Sequence, residues 1–122
     1  MTARSLARLQ AAGRLTLGAG LAVAPGTFAG AWVGGAADTR DGQVLSIGLG
    51  ARDVAIALGT LRALRRGRGA AAWLGAGLVA DAADLVATLR ARDDLSPLAV
   101  PAVAAIAGGS VLLGAYLLSA LD

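Results

Sequence analysis

Four charged residues lie near the middle of two long apolar stretches of this sequence, and they are the residues best suited to do chemistry. They are Arg52, Asp53, Asp81 and Asp84. The stretches, residues 44–61 and 70–89, are apolar enough to cross a bilayer, which takes about 20 residues. A charge at the centre of a membrane helix costs about 2.5–3.5 kcal/mol, whereas each Leu, Ile or Val contributes about 0.3–0.6 kcal/mol. Ionisable residues at that depth therefore indicate a functional site or a structural ion pair.

The spacing of these charges predicts that the two stretches form an antiparallel hairpin closed by an ion pair. Arg52 lies 14 residues before Arg66, and Asp81 lies 15 residues after it, so the two side chains should reach nearly the same depth. We therefore predict a contact between Arg52 and Asp81. A structural salt bridge is the simplest interpretation, but three carboxylates for one arginine exceed what such a bridge needs.

Asp84 is the residue that we expect to face a ligand. It shares a helix face with Asp81, three residues away. Because Arg52 cannot neutralise three carboxylates, at least one of them should be protonated, hydrated or matched by Arg14. We predict that Asp84 lines a small polar cavity in the outer half of the bundle, together with Arg52 and residues of the first or fourth helix.

The composition is that of a membrane protein. The 122 residues are 57% hydrophobic and 16% charged, with a mean hydropathy of +0.69, whereas soluble domains carry about 25% charged residues. The absence of Cys and His excludes haem ligation by His, iron–sulfur and zinc sites, thiol redox chemistry and Ser-His-Asp or Cys-His catalysis. We expect no metal and no cofactor. The arginines behind the net charge of +3 cluster at predicted helix ends, so membrane topology explains them and we expect no nucleic-acid partner.

These features predict an all-α fold, an integral membrane four-helix bundle formed by a single domain. The predicted spans are residues 5–24, 44–64, 70–90 and 98–120. The first span has two interpretations. Hydropathy favours residues 15–33, which carry no charge but contain Pro25, whereas the alternative ends before Pro25 and puts Arg14 at mid-membrane. The second is reasonable only if Arg14 joins Arg52 in neutralising the carboxylates, and it is the interpretation that we prefer.

The segment after Pro25 also has two interpretations. Glycines at four-residue spacing, Gly26, Gly30 and Gly34, would give one face of a helix on which another helix can approach closely. Alternatively, the segment is a glycine-rich loop at the membrane surface with Phe28 and Trp32 as interfacial anchors, which we favour.

A basic turn, residues 62–69, is the strongest signal for orientation. It contains Arg62, Arg65, Arg66 and Arg68. Because cytoplasmic loops are enriched in Arg and Lys, we expect both termini to be cytoplasmic, in a bacterial inner (plasma) membrane. The same arginines favour attraction to anionic lipid head groups.

With these residues identified, the sequence resembles the DoxX-like group of small four-helix membrane proteins, and within it a bacterial and fungal subgroup with a domain of unknown function. The resemblance rests on Gly20-x4-Pro25, on Gly50-Ala51-Arg52-Asp53 with Gly59 behind it, and on Asp81-Ala-Ala-Asp84. It implies a four-helix bundle whose first helix ends near Pro25. Some DoxX-like proteins are membrane subunits of quinone-linked oxidoreductases, which implies at most a quinone- or lipid-like ligand near Arg52 and Asp84.

Three functions remain open at this point. The one we favour is a non-enzymatic protein, a structural or accessory membrane subunit that binds membrane lipid, quinone or another amphiphile and assembles as a homo-oligomer or in a larger complex. The second is a proton-coupled transporter of the small multidrug type, although the chain lacks Glu and has only four aromatic residues. The third is a membrane-embedded acid–base isomerase or cyclase, in which desolvation keeps Asp84 protonated.

Overall fold

Four long helices dominate the computed structural model, which describes residues 1–121. In chain order the helices are α1 (Ala3–Val23), the short α2 (Pro25–Phe28) and α3 (Gly30–Val33), α4 (Arg40–Arg66), α5 (Ala70–Arg90) and α6 (Ala99–Ala120). Short 3₁₀ helices, Gly34–Asp38 and Arg92–Asp94, precede α4 and follow α5. The described residues contain no strand, so the predicted all-α class is confirmed. The predicted spans differ from the long helices by at most four residues at either end.

The helix ends follow from local sequence. The side chain of Thr2 accepts a hydrogen bond from the backbone N–H of Ser5 and caps α1, and Thr39 caps α4 in the same way. Between α4 and α5, Gly67 and Gly69 adopt positive φ angles of 70° and 84°, which side chains other than glycine rarely tolerate. The basic turn is therefore tight, as the hairpin requires.

The structure shows where the first long helix ends. Helix α1 ends at Val23, and the next short helix begins at Pro25. The chain bends by 115° between α1 and the segment Pro25–Asp38. Proline has no N–H to continue the helical hydrogen bonds, which makes it a natural start for the next short helix. A single continuous helix over residues 15–33 is therefore wrong.

Each long helix runs antiparallel to its neighbours. Arg4 of α1 donates to the carbonyl of Leu64 near the end of α4, whereas Ser46 near the start of α4 donates to the carbonyl of Leu21 (2.7 Å). Gln10 of α1 bonds Ser110 of α6. With the α4–α5 and α5–α6 connections, these contacts give an up-down-up-down bundle in which α1 lies between α4 and α6.

Helices α1 and α4 approach so closely that their backbones touch at two glycines. A Cβ at Gly18 would lie 2.9 Å from the Cβ of Asp53, and one at Gly50 would lie 2.6 Å from the backbone nitrogen of Ala22. Small residues of this kind allow close helix packing in membranes. The close approach brings Arg14, one turn before Gly18, into the interior of the bundle.

The interior has three layers along the bundle axis. At the end with the basic turn, a buried apolar cluster joins all four long helices through Ala7, Leu64, Leu74 and Leu117. At the opposite end, a smaller cluster of Leu21, Ala29 and Ala37 packs under the short helices. The charged residues occupy the layer between these two apolar clusters.

Three helices, α4, α5 and α6, are long and apolar enough to cross a membrane. The fourth candidate span exists only if α1 is counted together with the bent segment Pro25–Asp38. Large apolar side chains also cover much of the outer surface of α4, α5 and α6. They include Val44, Leu45, Ile47, Leu58, Val79, Val86, Ile106 and Leu112. An apolar surface of this extent is unusual for a soluble monomer and suggests a membrane protein.

Candidate functional site

All five predicted site residues meet in one layer of the bundle, which we call the Arg/Asp cluster. Arg14 donates to both carboxylate oxygens of Asp81 from its two terminal nitrogens, with Nη1–Oδ1 and Nη2–Oδ2 distances of 3.0 and 2.5 Å. Arg52 binds Asp84 in the same bidentate manner, at 3.3 and 2.9 Å. Bidentate pairs of this kind are among the strongest ion pairs in proteins.

The predicted contact between Arg52 and Asp81 is wrong, because each arginine binds a different partner. Only 9% of the Arg14 side chain is exposed, and it forms a buried ion pair with Asp81. The Arg52 side chain is 30% exposed, and it reaches Asp84, about one turn closer to the end opposite the basic turn. Arg52 and Asp81 were predicted to pair because they lie at nearly the same depth in the hairpin. That argument fails because α1 places a second arginine, Arg14, in the same layer.

Asp53 is the carboxylate that the two arginines share. Its Oδ1 accepts a hydrogen bond from Arg52 Nε at 3.1 Å and a longer one from Arg14 Nη1 at 3.4 Å. No hydrogen bond from the described residues reaches its Oδ2. Asp53 is therefore the carboxylate without an arginine of its own.

Two polar residues support the cluster and were not predicted as site residues. Ser110 of α6 donates to Oδ2 of Asp81 at 2.6 Å, and Gln10 of α1 donates to Ser110 Oγ at 3.0 Å. These bonds tie α1 and α6 to the aspartate on α5. The only sequence signal was a small polar residue inside an otherwise apolar helix, and helix packing explained it equally well.

A partly open cavity of about 440 Å³ begins at the Arg/Asp cluster and extends towards the end opposite the basic turn. Its polar end is formed by Arg14, Asp53, Asp81 and Asp84. The rest of its wall is almost entirely apolar, from Leu17 and Leu21 of α1, Thr27, Phe28, Ala31 and Trp32 of the short helices, and Ala102, Val103, Ile106 and Ala107 of α6. Asp84 thus lines a cavity with residues of α1 and α6, but the arginine in the cavity wall is Arg14 and not the predicted Arg52.

The segment after Pro25 covers this cavity, which neither of its predicted structures anticipated. It forms two short helices, and its Phe28 and Trp32 line the cavity wall. The indole Nε1 of Trp32 donates to Thr88 Oγ1 on α5 at 2.9 Å, and that hydroxyl donates to the carbonyl of Asp84 at 2.7 Å. The covering segment is therefore tied to the helix that carries two of the site carboxylates.

Exposed apolar side chains of α1 and α6 form part of the cavity wall. At the level of the Arg/Asp cluster these two helices are joined by hydrogen bonds from Gln10 to Ser110. Further along, the cavity lies between Leu17 of α1 and Ile106 of α6, which are 43% and 59% exposed. Exposed apolar side chains in the wall of a cavity suit the entry of a ligand from an apolar surrounding.

No family model, curated protein or solved structure matches this chain. The resemblance to DoxX-like proteins therefore stays a prediction.

Proposed function

We propose that this chain is a small integral membrane protein that binds a lipid- or quinone-like amphiphile in a non-enzymatic, structural or accessory role. The observation that carries the proposal is the cavity, whose apolar walls end on a cluster of buried charges. Its volume of about 440 Å³ lies within the range of about 300–1,000 Å³ found for small-molecule sites. An amphiphile would bury its apolar chain along α1 and α6 and its polar end at the cluster.

The proposed topology is four spans with both termini cytoplasmic, where the basic turn also lies. The arginine-rich turn supports this orientation through the positive-inside rule. We expect a fluorescent protein fused after Asp122 to fluoresce and a periplasmic phosphatase fused at the same point to be inactive. A fusion inside the turn Arg92–Asp94 should give the opposite result. An active phosphatase at the C-terminus would contradict the orientation.

The accessory role follows the resemblance to DoxX-like proteins, some of which are subunits of larger membrane complexes. A role for Asp84 in proton transfer has less support, because each of its carboxylate oxygens accepts a hydrogen bond from Arg52. No feature of the cavity favours transport over binding.

Filling the cavity tests the proposed binding. Ala102 lines the cavity and is exposed, whereas Ala105 is also exposed on the same helix but is not part of the cavity wall. We expect Ala102→Phe to lose lipid that co-purifies with the wild type in mild detergent, and Ala105→Phe to retain it. Native mass spectrometry of the three proteins measures the bound lipid. Equal lipid content in all three would contradict binding in the cavity.

A further inference from the structure

We propose that the polar end of the bound amphiphile is a protonated amine, so that the cavity selects lipophilic cations. This inference rests on the proposed function and narrows it, since for the same cavity it favours a lipid-like amine over a quinone. It follows from the charges and hydrogen-bonding atoms at the polar end of the cavity.

The charges at the polar end of the cavity do not balance. The Arg/Asp cluster contains two arginines and three aspartates, a formal charge of −1. The charge imbalance is larger in the cavity wall itself. The wall contains all three aspartates but, of the two arginines, only Arg14. An uncompensated charge in an apolar surrounding is costly, and a cation bound there would remove that cost.

The hydrogen-bonding atoms point to the same ligand. Both terminal nitrogens of Arg14 already donate to carboxylates, through Nη1 to Asp53 and Asp81 and through Nη2 to Asp81. Oδ2 of Asp53, by contrast, is an acceptor with no donor from the part of the chain that the structure describes. An ammonium group carries three donors and no acceptor, so it complements this end of the cavity.

A carbonyl-ended ligand suits the site less well. The oxygen of a quinone or ester is an acceptor, and it would lie against three carboxylates with little donor capacity left on Arg14. A fatty-acid carboxylate would add a further negative charge. An alcohol can donate one hydrogen bond to Asp53 but leaves the charge uncompensated. The expected order of affinity is therefore amine, then alcohol, then carboxylate.

Three probes with the same alkyl chain test this order: decylammonium, decanol and decanoate. Their dissociation constants are measured by calorimetry on the protein in nanodiscs of neutral phosphatidylcholine. Binding that disappears in Ala102→Phe is assigned to the cavity, which removes any contribution from the basic turn. We expect decylammonium to bind the wild type at least about tenfold more tightly than decanol, since hydrogen bonds to charged groups are the stronger ones.

Asp53→Asn should reduce the preference for the amine over the alcohol to about threefold or less, because it leaves two arginines matched by two aspartates. The control is Asp41→Asn, which removes an exposed carboxylate from the first turn of the same helix and should keep the wild-type preference. If Asp53→Asn does not fold, the wild-type order of the three probes still decides the question.

The outcomes separate the two proposals. Cavity binding of none of the three probes would overturn both the amine inference and the proposed amphiphile binding. Equal binding of amine and alcohol would overturn only the inference, and would indicate that a proton on the cluster already compensates the excess charge. Tighter binding of decanoate would likewise overturn the inference and leave amphiphile binding standing.

Discussion

Arg14→Ala is expected to destabilise the protein by about 3–5 kcal/mol, the usual cost of removing one partner of a buried ion pair. The side chains of Arg14 and Asp81 are only 9% and 11% exposed, so Asp81 would be left as a buried charge without its bidentate partner. Asp53 would lose one of its two arginine contacts in the same variant. The measurement is the free energy of unfolding in mixed detergent micelles.

A double-mutant cycle distinguishes this pairing from the one that the sequence suggested. Arg14→Ala/Asp81→Ala removes both charges together and should recover a large part of the lost stability. Arg52→Ala/Asp81→Ala should recover less, since Arg52 binds Asp84 and Asp53 but not Asp81. A larger coupling energy for Arg52 with Asp81 than for Arg14 with Asp81 would contradict the observed pairing.

Gly50→Ala is the second substitution with a large expected effect. Its methyl group would overlap the carbonyl oxygen of Gly18 and the backbone of Ala22, and neither can move without separating α1 from α4. Overpacking of this kind costs about 1–3 kcal/mol. The separation would also withdraw Arg14 from the Arg/Asp cluster, so we expect a cost at or above the upper end of that range.

Gly48→Ala is the matched control on the same helix. A methyl group at Gly48 meets no atom within 4 Å, so the substitution should be neutral or should stabilise α4 by up to about 0.5–1 kcal/mol. The two variants can be compared by thermal unfolding in the same detergent. Equal melting temperatures would mean that α1 and α4 are not in close contact at Gly50.

Local sequence determined the helices and the composition of the site. Long apolar stretches, Pro25 and the glycines of the basic turn define where helices begin and end, because these signals act through backbone hydrogen bonds and dihedral angles within a few residues. The rarity of charges in such stretches also identified Arg14, Arg52, Asp53, Asp81 and Asp84 without any knowledge of their contacts. The helix ends and the identity of the site residues therefore depend only on local backbone interactions and on the cost of desolvating a charge.

Which arginine binds which aspartate was decided by tertiary structure. Successive residues on a helix point about 100° apart, so a small rotation of α4 or α5 exchanges Asp81 for Asp84 as the partner of Arg52. The rotation and depth of α1 depend on its contact with α4 at Gly18 and Gly50, which lie 32 residues apart in sequence. No pattern within either helix alone encodes that contact.

The cavity also depended on tertiary structure. The sequence suggested that Phe28 and Trp32 lie at a membrane surface, because aromatic residues near a predicted helix end usually do. In the structure the 115° bend after α1 turns them over the space between α1, α5 and α6, where Trp32 bonds Thr88. Sequence determined which groups are charged and which segments are helical, whereas the packing of distant helices decided that Asp53 is left without an arginine of its own beside an apolar cavity.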